Sequence, residues 1–502
     1  MYRRMFIIAL LAFASIYAYA QDFREAYDAF RRQAIEEFRT FRTRCNKEYA
    51  EFLEKAWKQY KVLPSIEPPV KDMPTPPMPY KGKEDSIKDK ELQYLDIITV
   101  APPVPQPTPI EPILEQPQPD EERITFFFFG TEGKVRLSDR HRFKLNAVSE
   151  KSVADAWREL STDKYDNVIR DCLELRIKHG LGDWAYLQML LELSSEYFGR
   201  DTNEATLLTA YIYCQSGYKM RFGIGTNGRL YLMFNSRHDI YNMHYYRIKG
   251  ERYYPLNCSE QSLYICEVGF PKEQPLSLEI SADMKISAML TDSRTLQSIQ
   301  YPQVKVSVHA NKNLISFYDT YPASQLGENF MTRWAIYAQT PLDVATREEL
   351  YAQLTSLISG KSELEAANML LNFVQTGFVY KYDDEVWGRD RAFFAEESLA
   401  YPYCDCEDRS ILFSHLMRDL LGLDVALVYS PGHLFTAVRF TDNVEGAHIS
   451  IGEDKYVVCE PTCTNGAPVG WISAESGNSD VKVIKLSKID YGKSYRLSFD
   501  AL

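Results

Sequence analysis

The sequence predicts an α+β fold, and three stretches of its last third carry that prediction. A polar cap with two cysteines runs into an apolar helix, a strand opening on a histidine follows a Pro-Gly turn, and a later strand ends on a glutamate. Together they imply a helix carrying Cys406 packed on an antiparallel sheet that carries His433 and Glu460. The same order of parts occurs once earlier, which predicts a degenerate first copy ahead of an intact second one. The boundaries read from the sequence are an exported leader over 1–20, an amphipathic helix over 21–62, a Pro-rich linker over 63–121, the degenerate copy over 122–260, a β-rich connecting region over 261–325 and the second copy over 326–502.

The leader is expected because Arg3 and Arg4 precede an apolar run from Met5 to Ala14, and the stretch ends Ala18-Tyr19-Ala20, a small-residue cleavage pattern. The run is short for a membrane span, and no cysteine stands at the cleavage point as a lipoprotein would need. The expected location is secreted, periplasmic or cell envelope, with no transmembrane segment after cleavage. The chain has 502 residues, room for two or three domains. Its formal net charge of -12 argues against nucleic acid as a partner, since phosphate binding needs a basic surface. There are 9 cysteines, an odd number. Cys258 with Cys266 and Cys459 with Cys463 are close enough in sequence to pair.

Residues 22–61 contain no Pro or Gly, and apolar side chains from Tyr27 to Tyr60 recur at spacings of 3, 4 and 4. That eleven-residue period keeps one stripe on one face of a nearly straight helix. The stripe serves either the protein's own body or self-association and partner docking. The next segment holds 15 of the 25 prolines between residues 64 and 119, a composition that reads as an extended, semi-rigid linker. From Ile124 the pattern turns globular. A strand-like ITFFFF leads into helical stretches around 152–198, then alternating strands from Tyr218 to Tyr254. A β-rich stretch over 262–318 includes VKVSVHANKNLISFY, and helices follow around 346–359 and 362–376.

The chemistry gathers in the last third. Asp405 and Cys406 stand just before a helix whose apolar face is Ile411, Leu412, Leu416 and Leu420. A thiol at a helix N-terminus is favoured as thiolate, and the free N–H groups there can hold an oxyanion. His433, in SPGHLFTAVRF, opens a strand after a Pro-Gly turn and is placed as the base. Glu460, ending KYVVCEP, is placed to orient the imidazole. The competing readings are a structural Cys406, a metal or redox pair of Cys404 with Cys406, and His448 as base. Asp408 is expected in the first turn of the helix rather than in the triad. Tyr380, Tyr382 and Trp387 either wall the cleft, with one donating to the oxyanion, or pack the core. No second cluster accompanies the C-x-C pair and no calcium-loop pattern occurs, so neither metal nor cofactor is expected.

The segments YCDCEDRSILFSHLMRDLLGLDVALV, PGHLFTAVRF and YVVCEPT, with FVYKYDD and AFFAEESLAYPY upstream, resemble the core of the transglutaminase-like superfamily over about residues 362–465. The resemblance implies a papain-like core with Cys406 as nucleophile, His433 as base and Glu460 as acid, acting on protein or peptide substrates. Cys404 stands where that family usually has a small residue, and Glu460 where it usually has Asp. In the first copy, DTNEATLLTAYIYCQSGYKMRFGIG repeats the helix-strand order. Asn203 falls at or next to the nucleophile position, His238 and His244 lie downstream, and Asn257 falls near the acid position. The function expected is an exported, thiol-dependent amide hydrolase or acyl transferase working through a thioester. The alternative is a catalytically inactive secreted or envelope scaffold built from two such modules.

Overall fold

The computed structural model describes residues 27, 29–30, 32–69, 74–82, 89–99, 122–280, 283–327 and 329–487, with positions 107, 109, 113 and 115–117. The expected leader over 1–20 lies outside the described residues. The protein is α+β, with two large antiparallel-centred sheets, each covered on one face by helices.

The first module opens with a hairpin of Ile124–Phe128 and Thr131–Val135, closed by Phe129 and Gly130 at φ 44° and 69°. Two left-handed residues are what a two-residue hairpin turn requires, which is why glycine stands there. Helices Glu150–Leu160, Asp166–His179, Asp183–Phe198 and Asn203–Gln215 follow. The sheet strands then come in the order Met220–Gly225, Leu230–Asn235, Tyr246–Ile248, Glu251–Pro255 and Ser262–Ile265. Across the sheet they lie third, fourth, second, first, fifth, each pair antiparallel.

The second module repeats this arrangement. Helix Cys406–Leu420 precedes strands Asp424–Ser430, His433–Arg439, Ala447–Ile451, Asp454–Cys459 and Val481–Lys485. These also lie third, fourth, second, first, fifth, and all four pairings are antiparallel. In both modules a strand from the N-terminal segment extends the sheet beyond its fifth strand. Lys58–Lys61 does so antiparallel in the first and Tyr94–Thr99 parallel in the second. Successive strand residues point to opposite faces, so the second sheet buries Leu427, Leu434 and Val438 under the helix and Val428, Phe435 and Val458 in a separate cluster on the other side.

Four expectations change. The N-terminal helix ends at residue 53, not near 61. Trp57 is buried, its indole N–H donates to the Leu53 carbonyl at 2.8 Å and its ring stacks on Phe222, which turns the chain into the Lys58–Lys61 strand. The helix packs on the body through Cys45, Tyr49, Ala50 and Leu53, while Tyr27, Phe30 and Phe38 stay exposed. The Pro-rich segment is not only an extended spacer: Lys90–Glu91 and Tyr94–Thr99 are parallel edge strands of the second sheet. The first module extends past 260, because Ser262–Ile265 is its fifth strand. Finally, the VKVSVHANKNLISFY stretch is a strand, Lys305–Val308, followed by a helix, Lys312–Tyr318, that Asn311 caps from its side chain.

Edge pairing of Tyr94–Thr99 has a direct consequence. In hydrogen–deuterium exchange, those amides of residues 97–99 that point toward the Val481–Lys485 strand are expected to exchange markedly more slowly than those of the exposed 226–229 turn. Exchange at the rate of unstructured chain would contradict the pairing.

Candidate active site

Cys406 is the first residue of a helix held at every position of its first turn. Asp405 caps it, accepting from the Glu407 N–H at 3.1 Å, and Asp408 reaches back to the Asp405 N–H at 3.0 Å and to the Phe393 N–H at 2.9 Å. The Trp334 indole donates to Glu407 at 2.7 Å. Arg409, wholly buried, donates to the carbonyls of Gln375 and Phe378 at 2.9 and 2.7 Å and approaches Cys404 Sγ at 3.5 Å. Such a buried guanidinium stabilises only with its partners in place, and breaking a buried charged contact costs about 3–5 kcal/mol. Asp408 is therefore a capping acid, held well above the ordinary carboxylate pKa by burial and then by Asp405 and Asp383.

His433 opens its strand after Pro431 and Gly432, the latter at φ 74°. The Ser410 hydroxyl donates to the Leu434 carbonyl at 3.0 Å. Residues four apart share a helix face, so this bond sets the turn carrying Cys406 against the start of the His433 strand. The His433 ring is 6% exposed, and its Nε2 lies 2.8 Å from Glu460 Oε2. Its Nδ1 is buried without a hydrogen-bond partner.

Glu460 follows the Asp454–Cys459 strand directly. Its other carboxylate oxygen accepts from the Thr462 N–H at 3.1 Å and hydroxyl at 2.6 Å, and its carbonyl accepts from the Gln375 amide at 2.8 Å. Burial alone would lower the His433 pKa, but the Glu460 carboxylate and then Asp405 hold it above the ordinary value. Burial alone would raise Glu460, but His433 and Thr462 hold it below. With Nε2–H donating to Glu460, Nδ1 is the nitrogen left for proton transfer.

Other expectations resolve as follows. His448 sits opposite Val457, which pairs with Val438, five residues along the strand from His433, and its Nδ1 faces the Gly446 carbonyl and Asp89. Cys404 is buried in a short strand with Val379–Tyr380, and burial pushes its thiol up. All nine cysteines are free thiols, so neither Cys258–Cys266 nor Cys459–Cys463 is a disulfide. Cys406 and Cys258 are the two that are not fully buried. The Tyr380 hydroxyl is pushed up first by burial and then by Cys406 and Asp405. Tyr380 and Tyr382 meet edge to face, while Trp387 packs on Tyr401 and Phe393 under Arg391. Two groups of three acids around Asp383 lie close together, one with Asp390 and Glu407, the other with Asp405 and Asp408. Arg333 and main-chain N–H groups engage most of their carboxylates.

The first module's counterparts follow from register. Asn203 starts its helix after the cap Thr202, as Cys406 does after Asp405. Leu230 opens the second strand, as His433 does. Met233 pairs with Pro255 as Thr436 pairs with Cys459, which sets Leu256 at the place of Glu460. Asn257 is one residue off, and His238 is elsewhere, with Nδ1 accepting from the Leu278 N–H at 3.3 Å and its pKa pushed down by burial to about 4. Ser410, Thr462, Gln375 and Arg409 were not singled out from the sequence. Only Thr462, two residues past a strand-ending carboxylate, had a local signal.

The Pro-rich segment also borders the site. The Thr75 N–H donates to the Gly432 carbonyl at 3.0 Å, and Tyr80 exchanges two 2.8 Å hydrogen bonds with the Asn465 side chain and meets Trp471 edge on. Residues 75–80 therefore run from the turn before His433 to the loop after Glu460. Compared with known proteins, the chain matches no family model and no curated protein.

The buried pair predicts a pH signature. The raised His433 contributes stability fully below its unfolded value of about 6.5 and loses it as pH rises through the folded value. The lowered Glu460 contributes fully above about 4.5 and loses it as pH falls through its folded value. In chemical denaturation, Glu460→Gln is expected to cost about 1.5–3 kcal/mol between roughly pH 4.5 and 6.5, and less on either side. A deficit that is flat from pH 4 to 9 would contradict the charged pair.

Proposed function

We propose that the second module is a papain-like, transglutaminase-type core and that the protein is a thiol-dependent amide hydrolase or acyl transferase. The observation that supports this is the buried His433–Glu460 pair, whose Nδ1 has no hydrogen-bond partner and whose strand is tied to the Cys406 helix through the Ser410–Leu434 bond. The Cys406 thiol passes its proton to His433 Nδ1, and the thiolate attacks the carbonyl carbon of a peptide or protein amide. Main-chain N–H groups at the helix start stabilise the oxyanion. As the tetrahedral intermediate collapses, the C–N bond breaks, the His433 imidazolium gives its proton to the leaving nitrogen, and a thioester on Cys406 remains. Water, deprotonated by His433, then attacks the thioester, and the acid is released with the thiol restored; an amine in place of water gives transfer. Glu460 keeps the imidazole oriented and stabilises its charged form.

A peptide substrate is favoured because the flanks of the site already hold a chain segment, residues 75–80, by its main-chain groups, which bond the Gly432 carbonyl and the Asn465 side chain. Water is always available outside the cytoplasm, so hydrolysis is preferred over transfer. The export reading rests on the Arg3–Ala20 pattern. An inactive scaffold is the second reading, and the loss of all three groups from the first module favours it.

The variants separate these readings. Cys406→Ala is expected to abolish thiol-dependent amide turnover, and His433→Ala to cost nearly as much, because nucleophile and base act as a unit. Glu460→Ala is expected to retain more activity than either, and Glu460→Asp to equal or exceed Glu460→Ala. Turnover that survives Cys406→Ala, or its absence from the wild-type protein on every amide tried, would favour the scaffold.

A further inference from the structure

A cavity of about 390 Å³ lies in the first module, where other residues stand at the places of Cys406, His433 and Glu460. Its wall includes Thr202, Leu230 and Leu256, the counterparts of Asp405, His433 and Glu460. Asn203 has become a strut: its side-chain oxygen accepts from the Leu230 N–H at 2.8 Å, and its amide faces the Gly228 carbonyl at 3.4 Å. Chemistry is gone from this corner, yet the space beside it remains open, at a volume typical of small-ligand sites, about 300–1,000 Å³.

The wall says what would fill that space. Its charged groups cancel in pairs, Arg200 with Glu192 at 3.0 Å and Arg229 with Asp201 at 2.8 Å. What remains uncommitted among the described residues is neutral: the carboxamides of Gln188 and Asn257 and the hydroxyl of Ser195. A carboxamide offers one acceptor and two donors, the complement of a peptide group. The floor is leucine, and the one aromatic residue, Tyr231, is buried under Arg229, so no ring is presented for stacking on a sugar. Asp201 and Asn257 at the mouth both hold left-handed backbone, at φ 64° and 50°. We propose that this cavity is a second binding site, which takes an extended, uncharged stretch of peptide through its main-chain amides. The proposal does not depend on whether Cys406 is reactive.

The test uses the full chain carrying Cys406→Ala, so that no probe is consumed, and the capped tripeptide acetyl-Ala-Gln-Ala-amide, with cellotriose as the sugar control. Titration followed by NMR is expected to give saturable peptide binding with a Kd of about 1 mM or tighter. Gln188→Leu with Asn257→Gly, which removes both carboxamides while leaving glycine at the left-handed position, is expected to weaken it about ten-fold. Thr206→Tyr, which fills the cavity, is expected to remove it. If Thr206→Tyr shifts the unfolding midpoint, the double variant decides alone. No saturable peptide binding, peptide binding indifferent to the cavity variants, or binding of cellotriose in its place would overturn the proposal.

Discussion

A charged pair closed off from water is the constraint around which the second module is arranged. His433 opens one strand and Glu460 directly follows its antiparallel neighbour, and each would be shifted the wrong way by burial were the other absent. Removing two charges from water is costly, and the cost is offset only when remaining lone pairs are satisfied. Thr462 takes the second carboxylate oxygen and Gln375 fixes the carbonyl of the same residue. Gln375 also accepts from the Ala467 N–H and donates to the Ala467 carbonyl, so one amide from the Glu363–Gly377 helix clamps the whole loop behind the acid. Arg409 secures the opposite wall, tying the first turn of the Cys406 helix to the end of the Glu363–Gly377 helix. The corner that holds Cys406, His433 and Glu460 is thus set by two buried polar side chains, Gln375 and Arg409.

The two modules share an architecture but not the residues of the candidate site. Two sheets share one strand order and one set of directions, each fed by a helix at the same point and each lengthened by a strand from the N-terminal segment. In one, the helix starts with a thiol and the facing strand with an imidazole. In the other, an asparagine amide and a leucine occupy those places, and the amide hydrogen-bonds the strand directly. A fold can keep its packing through such replacements because apolar side chains, not the site, hold helix to sheet, as Ile411, Leu412 and Leu416 do with Leu427, Leu434 and Val438.

Much of this was readable where the signal is local. A polar cap before an apolar 3.6-residue pattern marks where the Cys406 helix begins, Pro431-Gly432 marks where the His433 strand opens, and Glu460-Pro461 marks where a strand stops. Long-range pairing was not readable. Nothing in a proline-rich composition says that Tyr94–Thr99 finds an edge nearly 400 residues later in the chain, and Gln375 meets Glu460 across 85 residues. The offset of Asn257 by one residue has the same origin, since strand register is set by a partner rather than by the strand itself. The end of the first helix was missed because a buried tryptophan stops it, not a proline or glycine.

The proposal that Cys406 is a thiolate paired with His433 is tested most directly by its reactivity. Burial pushes up the thiols of Cys172, Cys214, Cys404 and Cys459, so they are poor competitors for an alkylating reagent in the folded protein. The rate of iodoacetamide labelling against pH, with the labelled site mapped by mass spectrometry, is predicted to show Cys406 reacting first with a midpoint at least about two pH units below the ordinary thiol value of about 8.5. A Cys406 midpoint at or above that value, or fast labelling that falls on Cys258 instead, would contradict the account.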